Sequence, residues 1–452
     1  MSINSLPASL QSVIQQGYLE RRFRDALQAR LGFRDIADRE PFGAGIGETI
    51  TKTRVGLLPA VTTPIATPSL SDITSGLTPQ NYSVEQYVLS VAQYAADTQL
   101  NVTTSRVAID SLFLRNAFNL GEQARRSVDA LAQAALFNAY MGGNTRVRTT
   151  LGSAAATISV DDIRGFQTTL NGEGQPVAIS ASNMVAVTVG SDVYELQGAS
   201  ADGTNVSTAP GGVSGTLTFA TNVTVADGTL GNTVQSAVAP VIQRPSSSSG
   251  AVMAANTSLI SATNDTNNAK ITIEMILGAK AQLSANNVPT LDRTGNYVCY
   301  IDPIHITGLY SDPVFQLFFR GRPDTPEYRK GAVAELLGVD IVETNMNPVQ
   351  TLAGVGTVRR AVVCGQGALV EGVFTRTGYE AANEVDDGNL TTIVDDIAHI
   401  TREPIDALKQ VVTQAWSYIG GFVTPTDTTA NPATLPTATN AAYKRAVICE
   451  SL

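Results

Sequence analysis

The chain has 452 residues, 43% of them hydrophobic, long enough for two or three folding units and apolar enough for an ordered core. Charged residues make up only 15%, against about 25% in an ordinary soluble domain, so Ser, Thr, Asn, Gly and Ala fill a surface expected to meet protein more than water. With 30 Lys and Arg against 40 Asp and Glu the net charge is -10, which argues against a dedicated nucleic-acid binder.

The opening segment places Leu10, Val13, Ile14, Tyr18, Leu19, Phe23, Leu27 and Leu31 at helical spacing, with Gly32 as the stop. Such an amphipathic arm either packs on its own core or docks on a neighbour, and the pattern allows both. Arg21, Arg22, Arg24, Arg30, Arg34 and Arg39 are interleaved with Glu20, Asp25, Asp35, Asp38 and Glu40, as on a solvated or intersubunit face and unlike a DNA patch. Pro41, Gly43, Gly45 and Gly47 then break the chain. Glu48–Val55 and Tyr82–Tyr94 alternate, with Pro59, Pro64, Pro68 and Pro79 between them. Two strands joined by a proline-rich tip make an extended loop with little apolar surface of its own to bury. Ser83 and Gln86 also fit a capping box, but the alternation of Tyr87, Leu89 and Val91 favours a strand.

Asn119–Met141 is predicted to be a long amphipathic helix. Leu120, Ala124, Val128, Leu131, Ala132, Ala135, Leu136, Ala139 and Tyr140 recur at three and four residues. Glu122, Arg125, Arg126, Asp129 and Gln133 take the other face, and Gly142-Gly143 end the run. Its length is about 33 Å at 1.5 Å per residue, a rigid strut. Ser159 is read as the cap of a short helix carrying Ile163, Phe166 and Leu170 and stopping at Asn171-Gly172. Met184 to Pro240 has β character, with alternating Val185, Val187 and Val189, turns at Asp202-Gly203 and Asp227-Gly228, and short strands around Val213, Leu217, Phe219, Val223 and Val225. The run Pro245-Ser246-Ser247-Ser248-Ser249-Gly250 closes it as a linker.

Mixed α and β follows: a helix over Thr272–Asn286, an apolar strand over Tyr297–Ile301, and a helix started by Asp302-Pro303, where Asp caps and Pro at the first position loses no needed donor. Val339–Thr344, Val358–Cys364, Thr391–Thr401, Val411–Val423 and Tyr443–Cys449 read as further strands. Strands returning at the end suggest that the chain leaves one domain, builds another and comes back.

Catalytic patterns are missing from the sequence. His305 and His399 have no Cys, His or Glu at ligand spacing and read as packed or surface residues. Cys299, Cys364 and Cys449 sit in apolar runs as small core residues. Ser214 lacks a nucleophile elbow, and Gly43, Gly45, Gly47, Gly365 and Gly367 complete no phosphate loop. Glu384, Asp386, Asp387 and Asn389 around Gly388 are not in the register of a calcium loop. No secretory leader and no membrane-length apolar run is visible, so folding in a reducing cytoplasm is expected. Neither an enzymatic activity nor a cofactor is expected.

The order of segments is more specific than any one motif. Gly47-Glu48-Thr49-Ile50-Thr51 opens the extended loop, Ser127-Val128-Asp129-Ala130-Leu131 lies in the strut, and Tyr300-Ile301-Asp302-Pro303 precedes the helical stretch. Gly338-Val339-Asp340-Ile341-Val342-Glu343-Thr344-Asn345 gives a strand, and Gly365-Gln366-Gly367-Ala368-Leu369 follows another. In this order, and over nearly the whole chain, they resemble the major capsid protein of tailed bacteriophages, the family with the Hong Kong 97-type fold.

That resemblance implies an α+β fold with an N-terminal arm (1–45) and an extended loop (46–103). It also implies a peripheral domain with a spine helix (104–150 and 391–452), an axial domain (151–183 and 251–390), and an inserted all-β domain with its linker (184–245). It implies an extended loop lying over the adjacent subunit and axial domains gathered into hexamers and pentamers of an icosahedral shell around double-stranded DNA. The implied partners are further copies of the chain, a scaffolding protein, a portal protein, a decoration or cement protein, and packaged DNA in nonspecific contact, with no membrane. No charged coiled coil precedes Ser5, so the scaffold is expected to be a separate protein. The virion is the expected location, after assembly in the bacterial host cytoplasm. The residues expected to meet neighbouring subunits are Tyr18, Phe23 and Leu27 of the arm, Ile50, Lys52, Arg54, Tyr82 and Tyr87 of the loop, and Arg320 and Arg322. Lys52 is the only lysine of the loop and gives no basis for covalent cross-linking. The rival readings are a secreted or surface β-rich adhesin, which expects β-structure throughout, and an enzyme with an inserted β-domain.

Overall fold

The structure, a computed structural model, describes residues 18–27, 32–42, 49–58, 60–62, 84–101, 109–173, 175–203, 211–245, 253–255, 270–291, 295–319, 335–352, 356–374, 390–402, 404, 407, 410–426 and 433–452. Helix α1 (Tyr18–Leu27) and a 3-10 turn (Phe33–Ile36) lead into β1 (Ala37–Phe42), β2 (Thr49–Val55), β3 (Val84–Ser90) and β4 (Ala92–Asn101). Helix α2 (Ile109–Met141) precedes β5 (Asn144–Arg146), β6 (Ala155–Val160), β7 (Thr168–Leu170), β8 (Pro176–Ala178), β9 (Val185–Val189), β10 (Asp192–Ala201), β11 (Gly215–Val223) and β12 (Thr233–Ser236). Then come β13 (Ile242–Pro245), β14 (Met253–Ala255), α3 (Ile273–Ala285), β15 (Tyr297–Ile301), α4 (Pro303–Tyr310), α5 (Pro313–Phe319), β16 (Glu335–Leu336), β17 (Val339–Glu343), β18 (Val349–Leu352) and β19 (Gly356–Cys364). The chain ends with β20 (Leu369–Phe374), β21 (Leu390–Val394), β22 (Ile397–Arg402), β23 (Val411–Val423) and β24 (Ala446–Ser451).

The strut is longer than its apolar period predicts: α2 has 33 residues and starts at Ile109, giving about 50 Å. Leu120, Ala124, Val128, Ala132, Leu136, Phe137 and Tyr140 are buried along it. Asp129 and Gln133, expected on the outer face, are buried as well. Asp129 accepts the Arg34 backbone N–H at 3.2 Å, and Gln133 donates to the Met346 carbonyl. Distant segments supply these partners, which is why periodicity alone misplaced the two side chains.

Helix α2 lies between two sheets. The first has the order β1-β20-β23-β22-β21, with β4 also pairing β23; its Val394, Ile397, Trp416, Tyr418 and Phe422 share a core with α2. The predicted Thr391–Thr401 strand is in fact the hairpin β21–β22, which turns at Asp395-Asp396 with φ of 54° and 65°. Two left-handed residues are what a two-residue hairpin turn requires. The second sheet runs β14-β13-β24-β19-β15-β17-β16, with β18 also on β19. Its Val298, Tyr300, Val362, Cys364, Ala446 and Ile448 face the α2 core. Cys299, Ile301, Ala361, Val363, Val447 and Cys449 face α3, α4 and α5 on the other side. The C-terminal strand β24 sits between β13 and β19, so the chain does return to an earlier layer, and that layer is the second sheet. Local capping agrees with the sequence reading: Thr272 caps α3, and Asp302 accepts the Ile304 N–H at 2.8 Å with Pro303 at the first position of α4.

The β-rich unit is larger than 184–245. Its sheet has the order β5-β12-β9-β10-β11-β6, every pair antiparallel. The Val147–Val160 bridge and the Arg148 N–H to Ser159 carbonyl bond join the two ends. The sheet therefore closes into a six-stranded barrel spanning 144–236, and closure removes the exposed edges. Val147, Ile158, Val160, Ile163, Phe166, Val187, Val189, Leu196, Leu217, Phe219 and Val234 fill it. The helix predicted after Ser159 does not form: Ser159 belongs to β6, Ile163 and Phe166 cross the barrel mouth in turns, and Leu170 is in β7. Asp227 accepts from Tyr194 Oη at 2.7 Å, from Thr224 Oγ1 at 2.8 Å and from the Ser191 N–H at 3.1 Å. Burial would raise its carboxyl, but these donors hold it down to about 2.

Candidate assembly surfaces

The extended loop is a hairpin, β2 with β3, in register from Thr49 opposite Ser90 to Val55 opposite Val84. Its proline-rich tip lies outside the described residues. Strand alternation gives the hairpin two faces. On the inner face Tyr87 and Leu89 are buried against Val370 and Val423 of the first sheet, with Ile50 half-buried beside them. Arg54, only 3% exposed, pairs with Glu85 at 2.8 Å and lies over the Tyr443 ring. Tyr443 Oη donates to the Val55 carbonyl at 2.7 Å, and the Thr439 N–H donates to Glu85 at 2.9 Å. Burial would raise the Glu85 carboxyl, but Thr439 and Arg54 hold it below its ordinary value. Lys52 is half-buried and paired with Glu40. The hairpin is thus held by the first sheet at Tyr87 and Leu89 and clamped at its Arg54–Glu85 pair by the C-terminal segment of its own chain.

Beyond the clamp the character inverts. Val55, Leu57, Leu58, Val61 and Val84 are 50, 62, 54, 75 and 54% exposed. A run of large apolar side chains at the open end of an anchored hairpin has no partner among the described residues, and such surfaces mark interaction sites. A second exposed apolar set, Ile304, Val314 and Leu317, lies on α4 and α5.

Several residues expected to meet neighbours are instead committed to their own subunit. Phe23 is fully buried in the α2 core, and Arg54 and Tyr87 are spent on the hairpin clamp. In the arm, Phe23 and Ala26 pack down onto α2, where Gly121 leaves the room they need: a Cβ there would stand 2.9 Å from the Phe23 carbonyl oxygen. The described part of the arm therefore packs on its own core, one of the two readings its pattern allowed. The side chains of Tyr18 and Leu27, and residues Tyr82, Arg320 and Arg322, lie outside the described residues. The apolar end of the hairpin was missed, although its signal is in the sequence: Val55 and Val84 fall on the outward phase of the alternation, followed by Leu57 and Leu58.

Two ionic clusters fix the framework behind these surfaces. Arg34 and Arg39 reach Glu371, Asp395 and Asp396, with Arg34 to Glu371 at 2.8 Å and Tyr418 Oη donating to Glu371 at 2.7 Å. They tie the 3-10 turn and β1 to β20 and to the β21–β22 turn. At the barrel junction, Glu450 is bonded at 2.8 Å by both Arg244 and Arg360. Burial would raise this carboxyl, but the two guanidiniums hold it well below its ordinary value. Arg360 also donates to the Gly211 carbonyl and to Gln350, and Gln350 donates to the Asp161 carbonyl.

Ser451 lies 2.7 Å from His305 Nε2, yet both are buried and Asp302 is taken by Arg359 at 3.0 Å and by the α4 N-terminus. A nucleophile without access performs no hydrolysis. His305 and His399 are both held down to about 4 by burial. The three cysteines are free and buried. Among the described residues no group of three or more His, Cys, Asp or Glu could hold a metal, and no helix is long and apolar enough to cross a membrane. The Glu384–Asn389 stretch lies outside them.

No protein-family model matches the chain, and no curated protein matches it. Among solved structures it is similar to the capsid of Ralstonia phage GP4, with 12% identity and a TM-score of 0.49 over 92% of this chain and 87% of that one. It is similar to the cyanophage Pam1 capsid at 13% identity, with a TM-score of 0.44 over 91% and 88% of the two chains. The cyanophage P-SCSP1u capsid matches at 13% identity, with a TM-score of 0.41 over 92% and 86%. The chain thus resembles phage capsid chains over about nine-tenths of its length, with helices and strands mixed in an α+β fold.

Proposed function

We propose that the chain is the major capsid protein of a tailed bacteriophage, assembling with copies of itself into the icosahedral shell that encloses double-stranded DNA. The carrying observation is the hairpin. Its described ladder is locked to its own body, at the Arg54–Glu85 pair by Tyr443 and Thr439, while Val55 and Val84 of the next pair and Leu57, Leu58 and Val61 beyond it present their side chains to solvent. An anchored element with an uncovered apolar end is built to be completed by another surface, and repetition of one such contact around closed symmetry makes a shell from modest bonds. The 33-residue α2, braced between two sheets, supplies the rigid span. The low share of charged residues suits a surface that meets protein.

In this reading the extended loop overlies the adjacent subunit, and the second sheet with α3–α5 gathers around fivefold and sixfold axes. A separate scaffolding protein, a portal protein and a decoration or cement protein are its partners in the host cytoplasm, and DNA is confined without tight binding by an acidic wall. The role is structural and not catalytic. An adhesin with β-structure throughout is disfavoured by α2 and α3. Negative-stain electron microscopy of the purified chain, alone and with its scaffold, is expected to reveal shells or rings of five and six. A compact monomer under every assembly condition refutes the proposal.

A further inference from the structure

Helix α1 rests on the body through Phe23 and Ala26, while Arg21, Arg22, Arg24 and Asp25 face outward. Under Phe23 sits His399, with ring centroids 4.7 Å apart. His399 stands on β22 opposite Trp416, and the next pair on the same face is Thr401 opposite Gln414. His399, Thr401 and Gln414 are 1, 0 and 1% exposed. Yet His399 Nε2, Thr401 Oγ1 and both amide atoms of Gln414 have no hydrogen-bond partner. Buried polar atoms without partners cluster where a structure has a second arrangement or a role beyond stability.

Among the described residues, the groups around the imidazole are uncharged. β21 places Thr392 opposite it, and β23 adds Trp416, Gln414 and Tyr418. Strand β4 places Ala96 opposite Trp416 and Thr98 opposite Gln414. Helix α2 contributes Gln123, which accepts from Trp416 Nε1 at 3.3 Å, and keeps Glu122 and Arg126 exposed. Glu371, Asp395 and Asp396 are held by Arg34 and Arg39. No carboxylate among the described residues stands ready to receive an imidazolium.

We propose that α1 is an acid-released strap: a proton on His399 places an uncompensated charge beneath Phe23, and the helix lifts so that water can reach the imidazole and the unpaired Thr401 and Gln414. Among the described side chains of α1, release withdraws two buried ones, Phe23 and Ala26, from their seats. Burial holds the imidazole down to about 4 from 6.5, so the closed strap is fully favoured above 6.5 and loses ground as pH falls toward 4. With a solvated imidazole in the lifted form, opening is about 30-fold more frequent at pH 5 than at pH 8.

Hydrogen exchange of the full chain at pH 8 and pH 5, corrected for intrinsic rates, tests this directly. Protection in 18–27 is expected to fall about 30-fold while protection in the barrel holds. Emission of Trp416, the only tryptophan, is expected to drop as the facing imidazole charges. Both changes should vanish in His399→Gln and in His399→Phe, the latter keeping a ring against Phe23, and should persist in His305→Gln. Unchanged α1 protection at pH 5, equal responses in the His399 variants, or simultaneous loss of barrel protection each overturns the proposal.

Discussion

Replacing Leu57 and Leu58 together by Ser strips the exposed end of the hairpin without touching its clamp. The two side chains are 62 and 54% exposed in the isolated chain. Full burial of a leucine contributes about 1.5–3 kcal/mol, so covering the exposed part contributes about 1–1.5 kcal/mol each, or roughly 2–3 kcal/mol per hairpin. Since about 1.4 kcal/mol is tenfold in an equilibrium constant, the critical concentration for assembly should rise roughly 30- to 100-fold. Light scattering against protein concentration, with pelleting of assembled particles, measures it. Thermal unfolding of the unassembled chain should move little, because surface substitutions away from packed features stay within about 0.5 kcal/mol. Assembly of the double variant at the wild-type concentration would refute the idea that the next copy covers this end of the hairpin.

Further outcomes follow from the two clusters that hold the body together. Glu450→Gln leaves Arg244 and Arg360 buried without their shared counter-charge and should cost about 3–5 kcal/mol in urea unfolding, while the apolar triple replacement Arg244→Met, Glu450→Leu, Arg360→Met should recover most of it; a loss below about 1 kcal/mol in the single variant contradicts the role given to this network. The fragment 144–236, cut where the barrel closes, should give a β-type circular dichroism spectrum and unfold cooperatively, whereas 184–240 alone lacks β5 and β6 and should not; equal folding of both would reject the boundary. Gly121→Val, which drives a Cβ toward the Phe23 carbonyl, should unseat α1 and raise exchange in 18–27 at neutral pH, with the barrel unaffected.

Elements that depend on local pattern were legible in the sequence. The apolar period of α2, the alternation of β2 and β3, the caps at Thr272 and Asp302, and the buried cysteines are all where the residues place them. What was misread depends on distant partners. Ile163, Phe166 and Leu170 imitate a helical period, but Ile163 and Phe166 are claimed by the core of a barrel that closes only when Val147 meets Val160, and Leu170 by the β7–β8 pair. Asp129 and Gln133 look like surface residues until Arg34 and Met346 arrive from elsewhere in the chain. Asp395-Asp396 carries no glycine to announce a turn, and the arginines that favour it, Arg34 and Arg39, lie more than 350 residues away. Distant partners also decide where the expected assembly residues stand in the subunit: Arg54 and Tyr87 sit on the inward phase of the hairpin, against their own C-terminal segment and first sheet, while the outward phase carries the exposed Val55 and Val84, with Leu57 and Leu58 beyond the strand.

A photo-cross-linking residue at position 58, in place of Leu58, reads the hairpin most directly. In assembled particles the expected product is a covalent dimer joining the hairpin of one copy to the surface of the next, absent when the chain is kept below its assembly concentration. Cross-links confined within single chains, in particles and free protein alike, would contradict a shell held together by this contact.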